Sequence, residues 1–193
     1  MARPRQFDRE ATLQRAIKLF WEQGYAATST DALLRAMGIG RQSLYDTFGD
    51  KRSLYLEALA HYNAASVGRL IADMQDAASP LAGLEAALRG FAARSAGDAA
   101  RGCMGINAVC EFGLSDPEVT ALTEASARAL GAALEKQLRA ARAAGETDAE
   151  LAPRAAAHFV ASTLAGMKVS ARGGATPAAL KEIARLAVQG LRP

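Results

Sequence analysis

Residues 28–57 constrain this 193-residue chain more than any other stretch. Thr28-Ser29-Thr30 opens a helix, because hydroxyls accept from the free N–H groups at a helix start. Asp31 adds favourable charge at that positive end. Ala32, Leu33, Ala36 and Met37 supply an apolar face. Gly38 suits the left-handed conformation of a tight turn, and Ile39 then drops into the core between two helices. A short second helix starts near Gly40 or Arg41 and ends near Phe48, with Leu44 and Phe48, four apart, facing inward. Asp50 caps a longer third helix that carries Lys51 in its first turn. Helix, turn, short helix and long helix in this order make a helix-turn-helix.

The short helix leaves Arg41, Gln42, Ser43 and Tyr45 to face outward. Arg reads guanine, Gln reads adenine, Ser reads either, and Tyr holds phosphate. A plain solvated face is the alternative reading of the same four residues. Their place after a glycine turn, behind a capped and apolar partner helix, favours DNA contact. The next helix offers free N–H groups and Lys51 to a phosphate. Arg3 and Arg5, flanking Pro4, form a basic arm suited to a phosphate backbone or a minor groove. A basic terminus without a partner fits those two equally well. Upstream of the turn, Asp8 caps a helix that stops at Gly24, with Ala11, Leu13, Ala16, Ile17, Phe20 and Trp21 as its apolar stripe.

The region from Ala11 to about Leu59 resembles the DNA-binding domain of the TetR (tetracycline-repressor-like) family. The residues that carry this are Phe20-Trp21-Glu22-Gln23-Gly24-Tyr25, Thr28-Ser29-Thr30, Gly38-Ile39, Ser43-Leu44-Tyr45-Asp46-Thr47-Phe48 and Asp50-Lys51. The resemblance implies that Thr28, Ser29, Tyr45 and Lys51 lie along the DNA contact, with Thr28, Tyr45 and Lys51 holding phosphates. It implies that Arg41, Gln42 and Ser43 read bases. It further implies a ligand-responsive transcriptional regulator, most often a repressor, acting on a palindromic double-stranded operator.

The remainder reads as helix throughout. Ala and Leu dominate and β-branched residues are sparse, which favours helix over strand. A fourth helix runs from Lys51 to about Ala77, and Ser79-Pro80 opens a fifth that ends around Gly97. A short sixth spans Cys103 to Leu114, and Ser115-Asp116-Pro117-Glu118 starts a seventh that stops at Gly145. The eighth runs from about Leu151 to Ser170 and the ninth from Thr176-Pro177 to Val188 or Gln189. The expected fold is all-α, with about nine helices. Residues 1–52 form the helix-turn-helix domain and residues 53–193 a helical ligand-binding and dimerisation domain. The last two helices carry small residues and an apolar stripe. Intramolecular core is one reading of them. The resemblance implies that they pair with a second copy, and two half-sites one DNA turn apart also ask for a two-fold homodimer.

The resemblance implies a small-molecule effector pocket in the C-terminal part. Candidate walls are His61, Tyr62, Met74, Phe91, Met104, Asn107, Phe112, Phe159 and Met167, each of which also fits as ordinary core. Cys103 is an alternative sensor of oxidants or electrophiles. It follows Arg101-Gly102 at a helix start, which favours the reactive anionic sulfur. A buried inert thiol is the plainer reading. Cys110, seven residues on, is too far along a straight helix for a disulfide with it.

His61 and His158 have no ligand cluster at metal spacing, so no metal or other cofactor is expected. No phosphate loop or nucleophile elbow argues for an enzyme. A sequence-blind architectural DNA binder is the other rival, and so large a C-terminal part weighs against it. The net charge of +3 permits a nucleic-acid partner without demanding one. No apolar run of ~20 residues calls for a membrane, and no signal segment is evident. A cytoplasmic setting with reduced thiols is expected.

Overall fold

The computed structural model describes residues 7–93 and 101–193. Among them are nine helices and no strand: α1 (Arg9–Gln23), α2 (Thr30–Met37), α3 (Arg41–Phe48), α4 (Lys51–Gln75), α5 (Pro80–Ala92), α6 (Met104–Phe112), α7 (Pro117–Ala143), α8 (Pro153–Arg172) and α9 (Pro177–Gln189). The expected end of the fifth helix near Gly97 lies outside the described residues, as do Arg3 and Arg5. The helices gather into two compact units. The first holds the described residues up to Asn63 together with Met104–Thr123, and the second holds those of Ala64–Cys103 with Glu124–Pro193.

In the first unit, Asp8 caps α1 by accepting from the Ala11 N–H at 3.1 Å. The buried stripe of α1 is Leu13, Ala16, Ile17 and Phe20. Ser29 caps α2, accepting from the Ala32 N–H at 3.1 Å. Gly38 ends α2 at φ 69°, the left-handed conformation the turn requires. Arg15 reaches over from α1 to donate to the Met37 carbonyl at 2.9 Å, covering one of the orphan acceptors of that helix end. The buried face of α2 is narrower than expected. Leu33 and Met37 are buried, whereas Ala36 is exposed and Ile39 half-buried. Arg9 lays its guanidinium 4.9 Å from the Phe48 ring centre and pairs with Glu57, tying α1 to α3 and α4.

The α6–α7 corner belongs to this same unit. Glu111 on α6 accepts from the Tyr25 and Ala26 N–H groups at 3.0 and 2.7 Å. Phe112 and Tyr25 each pack on Tyr55, with ring centres 5.7 and 5.0 Å away. Burial pushes the Tyr55 phenol well above its ordinary range, with Glu111 adding to the effect. Arg52 on α4 donates to Asp116 at 2.9 Å and to Glu118 at 2.6 Å. Asp116 also caps α7, accepting from the Glu118 and Val119 N–H groups.

These bonds make stability depend on pH. The Arg52 hydrogen bond, then the Val119 N–H, hold the Asp116 carboxyl at about 2, below its ordinary 3.8. A depressed carboxylate stabilises the folded state fully above its unfolded pKa and loses that contribution as pH falls through its folded pKa. The Arg52–Asp116 tie is therefore intact above about pH 4 and is lost toward about pH 2. Thermal melts of wild type and Asp116→Asn should differ most at pH 5 and converge by pH 2. A constant gap would contradict the assignment.

In the second unit the core joins Leu70 and Met74 of α4 to Leu81, Leu84, Leu88 and Phe91 of α5. Leu134 and Leu138 of α7, Val160, Leu164 and Met167 of α8, and Leu180, Ala184 and Val188 of α9 complete it. Gln137 donates to the Pro80 carbonyl at 3.0 Å, and Glu146 accepts from the Leu81 N–H at 2.7 Å. Gly83 marks a close approach, since a Cβ there would overlap the Met74 carbonyl oxygen and lie 2.7 Å from Gln137 Nε2.

Ala in place of helical Gly ordinarily gains about 1 kcal/mol, whereas overpacking against backbone costs about 1–3 kcal/mol. Gly83→Ala should therefore be net destabilising. Gly131→Ala on α7, where nothing lies within 4 Å, should stabilise. Urea unfolding of both variants checks the pair, and two changes of the same sign would contradict it.

Candidate nucleic-acid interface

Leu44 and Phe48 anchor α3 to the first unit, so the helix can turn only its opposite side outward. On that side Arg41, Gln42 and Tyr45 are exposed, Tyr45 by 47% of its surface, and Ser43 is half-buried. Gly40 starts α3 without a side-chain cap. Two carboxylates hold the polar groups in place. Arg41 Nη2 lies 2.7 Å from Asp31 Oδ1 and Gln42 Nε2 lies 2.7 Å from Asp46 Oδ1. Exposed pairs of this kind contribute only about 0–1 kcal/mol, so bases or phosphates can replace the carboxylates at small cost.

Lys51 sits at the start of α4 with Nζ 4.2 Å from the Tyr25 ring centre. Asp50 caps that start by accepting from the Ser53 N–H at 2.7 Å, a bond that holds its carboxyl below the ordinary range. The remaining two expected contacts have structural work to do. Thr28 is fully buried and donates its hydroxyl to the Gly24 carbonyl at 2.6 Å, bracing the α1–α2 turn. Ser29 is exposed and spends its Oγ on the α2 cap. Asp31 and Asp46 are the hydrogen-bond partners of Arg41 and Gln42 that sequence reasoning misses as such. Asp46 lies four residues after Gln42, the spacing that brings two helical side chains together.

A family model described as "Bacterial regulatory proteins, tetR family" matches residues 13–58. A second, "Tetracyclin repressor-like, C-terminal domain", matches residues 80–187. The chain belongs to the TetR family.

Two relatives and one solved structure place this TetR-family protein more closely. An uncharacterized HTH-type transcriptional regulator, YezE of Bacillus subtilis (strain 168), is 36% identical over 159 residues, 78% of each chain. The HTH-type transcriptional repressor ComR of Escherichia coli (strain K12) is 30% identical over 187 residues, covering 94% of this chain and 88% of ComR. A cysteine variant of the TetR-family regulator CifR, solved with a 26-base-pair double-strand operator, is 31% identical. It has a TM-score of 0.84 over 98% of this chain and 100% of that one. The TetR-family chain described here is thus a DNA-binding transcriptional regulator.

The expected effector residues divide between the two units. His61, Tyr62, Met104, Asn107 and Phe112 lie in the first. His61 faces α1 at the surface, with Nε2 3.1 Å from Glu10 Oε1, and is not an interior wall. Tyr62 is buried with its ring centre 5.2 Å from that of Trp21. Met104 is fully buried, and Phe112 serves the aromatic cluster around Tyr55. Among the described residues, Asn107 Nδ2 and Asn63 Nδ2 are each buried without a hydrogen-bond partner. Asn63 escapes notice in the sequence because it reads as one more polar residue on a long helix.

In the second unit, Met74, Phe91 and Met167 are core, and Cys103 is a buried free thiol. Phe159 corrects the expectation of an interior wall, since the residue is 50% exposed. An open groove of about 440 Å³ lies between α7 and α8, with Ala127, Gly131, Ala157 and Ala161 in its floor. None of the expected effector residues lines it. No group of His, Cys, Asp or Glu among the described residues suits a metal ion, and no helix among them is long and apolar enough to cross a membrane.

Proposed function

We propose that this TetR-family regulator is a homodimeric repressor that leaves a palindromic operator when a small molecule occupies its C-terminal part. Residues 1–52 would carry the DNA contact and residues 53–193 the effector and dimer contacts. Arg41, Gln42, Ser43 and Tyr45 read and grip the half-site, Lys51 holds a phosphate, and Arg3 and Arg5 follow the backbone or minor groove. It works in the cytoplasm, where a bacterial operator lies. The observation that carries the reading is the outward face of α3, whose Arg41 and Gln42 side chains bond to the exchangeable carboxylates of Asp31 and Asp46.

Release has a physical route within the first unit. Glu111 joins α6 to the α1–α2 turn, and Arg52 joins α4 to the start of α7. An effector that binds better when α6 is displaced therefore also favours a displaced turn, and the operator favours the original one. The two ligands then oppose each other by the same coupling free energy. The buried, unpaired amides of Asn63 and Asn107 favour an effector with hydrogen-bond acceptors, because unpaired buried donors cost about 1–3 kcal/mol each until satisfied.

In vitro transcription from the DNA upstream of its own reading frame tests the repressor reading. Transcript should fall as protein is added. A rise would make the protein an activator, and no change would remove the regulator from that promoter. Glu111→Ala, which cuts the tie to Tyr25 and Ala26, should keep most operator affinity and weaken release by any effector that releases the wild type.

A further inference from the structure

Asp46 follows Gln42 by one turn of α3, and both side chains are exposed. At about 3.6 residues per turn they share the side of the helix turned away from the buried Leu44 and Phe48. Gln42 Nε2 lies 2.7 Å from Asp46 Oδ1. A glutamine amide carries an acceptor oxygen and a donor NH2 group, and a free side chain can turn either one to a given neighbour. An ionised carboxylate only accepts. Asp46 therefore settles the choice: the NH2 group faces it and spends one hydrogen on it. Oε1 and the second N–H remain, and among the described residues no other group bonds to them. What Gln42 offers outward is one acceptor beside one donor.

We propose that Asp46 is a specificity-determining positioning residue that commits Gln42 to adenine in each half-site. This rests on the operator reading above and names the base that one position of α3 takes there. In the major groove adenine presents an N6 donor beside the N7 acceptor, whereas guanine presents two acceptors, N7 and O6. Adenine therefore bonds with the Gln42–Asp46 pair intact, N6–H to Oε1 and Nε2–H to N7. Guanine asks for two donors, and Gln42 supplies both N–H groups only by leaving Asp46. Cytosine offers the amide its N4 donor and thymine its O4 acceptor, one bond in either case. The pair also orders a long side chain before DNA arrives, which lowers the entropy lost on binding. Asp31 differs in kind. It holds Arg41 Nη2 at 2.7 Å, but a guanidinium has donors only, so Asp31 cannot change what Arg41 reads.

The test selects duplexes from pools in which each position of the site upstream of the protein's own reading frame is randomised in turn. Full-length wild type, Asp46→Asn, Gln42→Ala and the double variant are compared. Wild type should prefer adenine at one position of each half-site, and Gln42→Ala should erase that preference. Asp46→Asn keeps the shape but can donate as well as accept, which frees the Gln42 amide to turn. It should lower the adenine preference by roughly tenfold, within the range of a bidentate base contact, and admit guanine. Removing the carboxylate charge also strengthens binding to every duplex alike, without altering base choice. The double variant separates the two effects, since beside Gln42→Ala the Asp46→Asn change should shift affinity and leave the base profile untouched. Asp46 is exposed, so the substitution leaves the core alone. An adenine preference that Asp46→Asn leaves intact would overturn the proposal and leave the operator reading standing. So would a wild type that selects guanine at the position Gln42→Ala erases. A wild type without base preference at any position would overturn the operator reading, and the proposal with it.

Discussion

Phe159→Asp turns the dimeric regulator into a monomer and lowers operator affinity by roughly 10²–10⁴-fold, the advantage that joining two binding modules confers. Both α8 and α9 are apolar on two sides. Val160, Leu164 and Met167 of α8, with Leu180, Ala184 and Val188 of α9, are consumed by the core of the second unit. Phe159 and Val169 of α8 and Ile183 and Leu186 of α9 are nonetheless exposed and large. Apolar residues on both sides of a helix mean that both sides are covered, and the second cover is a partner copy.

A carboxylate at the centre of such an interface loses its hydration without gaining a counter-charge. Each protomer should still fold, because Phe159 contributes little to its own core. Sedimentation of the variant beside Phe159→Leu checks this. The leucine variant should stay dimeric, and a dimeric aspartate variant with full operator affinity would show that Phe159 lies outside the dimer contact.

Arg41→Ala with Gln42→Ala removes operator specificity while leaving general DNA affinity. Each good base contact is worth about 1–3 kcal/mol. Two such contacts in each of two half-sites amount to about 4–12 kcal/mol, which spans the whole margin of about 4–10 kcal/mol between specific and non-specific binding. Breaking the Asp31 and Asp46 pairs on binding returns only about 0–1 kcal/mol each, too little to close that margin. Lys51→Ala acts differently. A phosphate contact carries no sequence information, so this variant should weaken all duplexes alike and reduce the salt slope by about 1 per protomer. Equilibrium titration against operator and scrambled duplex separates the two patterns. A double variant that still prefers the operator would move base reading off α3.

The helix order is legible in the sequence because its signals are local. Asp8, Ser29, Ser79 and Thr176 cap helices as their type and position suggest, and Gly38 turns the chain as only glycine does without strain. The outward face of α3 is legible because Leu44 and Phe48 settle which side is inward. What the sequence hides depends on long-range partners. Nothing local shows that Glu111 caps the Tyr25 and Ala26 N–H groups 86 and 85 residues away. Nor does any local signal place α6 in the same unit as α1–α3. Thr28 has the composition of a phosphate ligand, but its hydroxyl is committed to Gly24. Phe159 reads as a pocket wall because an aromatic residue on an apolar helix has the same signature whether it faces a core or a partner.

In the proposed function, regulation by this chain rests on sequence-specific grip of a two-fold operator by α3. Titration of the purified protein on DNA from its own upstream region, with random duplex as competitor and at several salt concentrations, measures that grip. The expected result is protection of a palindromic site with half-sites about one DNA turn apart, bound at least about 10³-fold more tightly than random duplex. Equal affinity for both duplexes, with the same salt slope, would contradict it and make the protein a sequence-blind DNA binder.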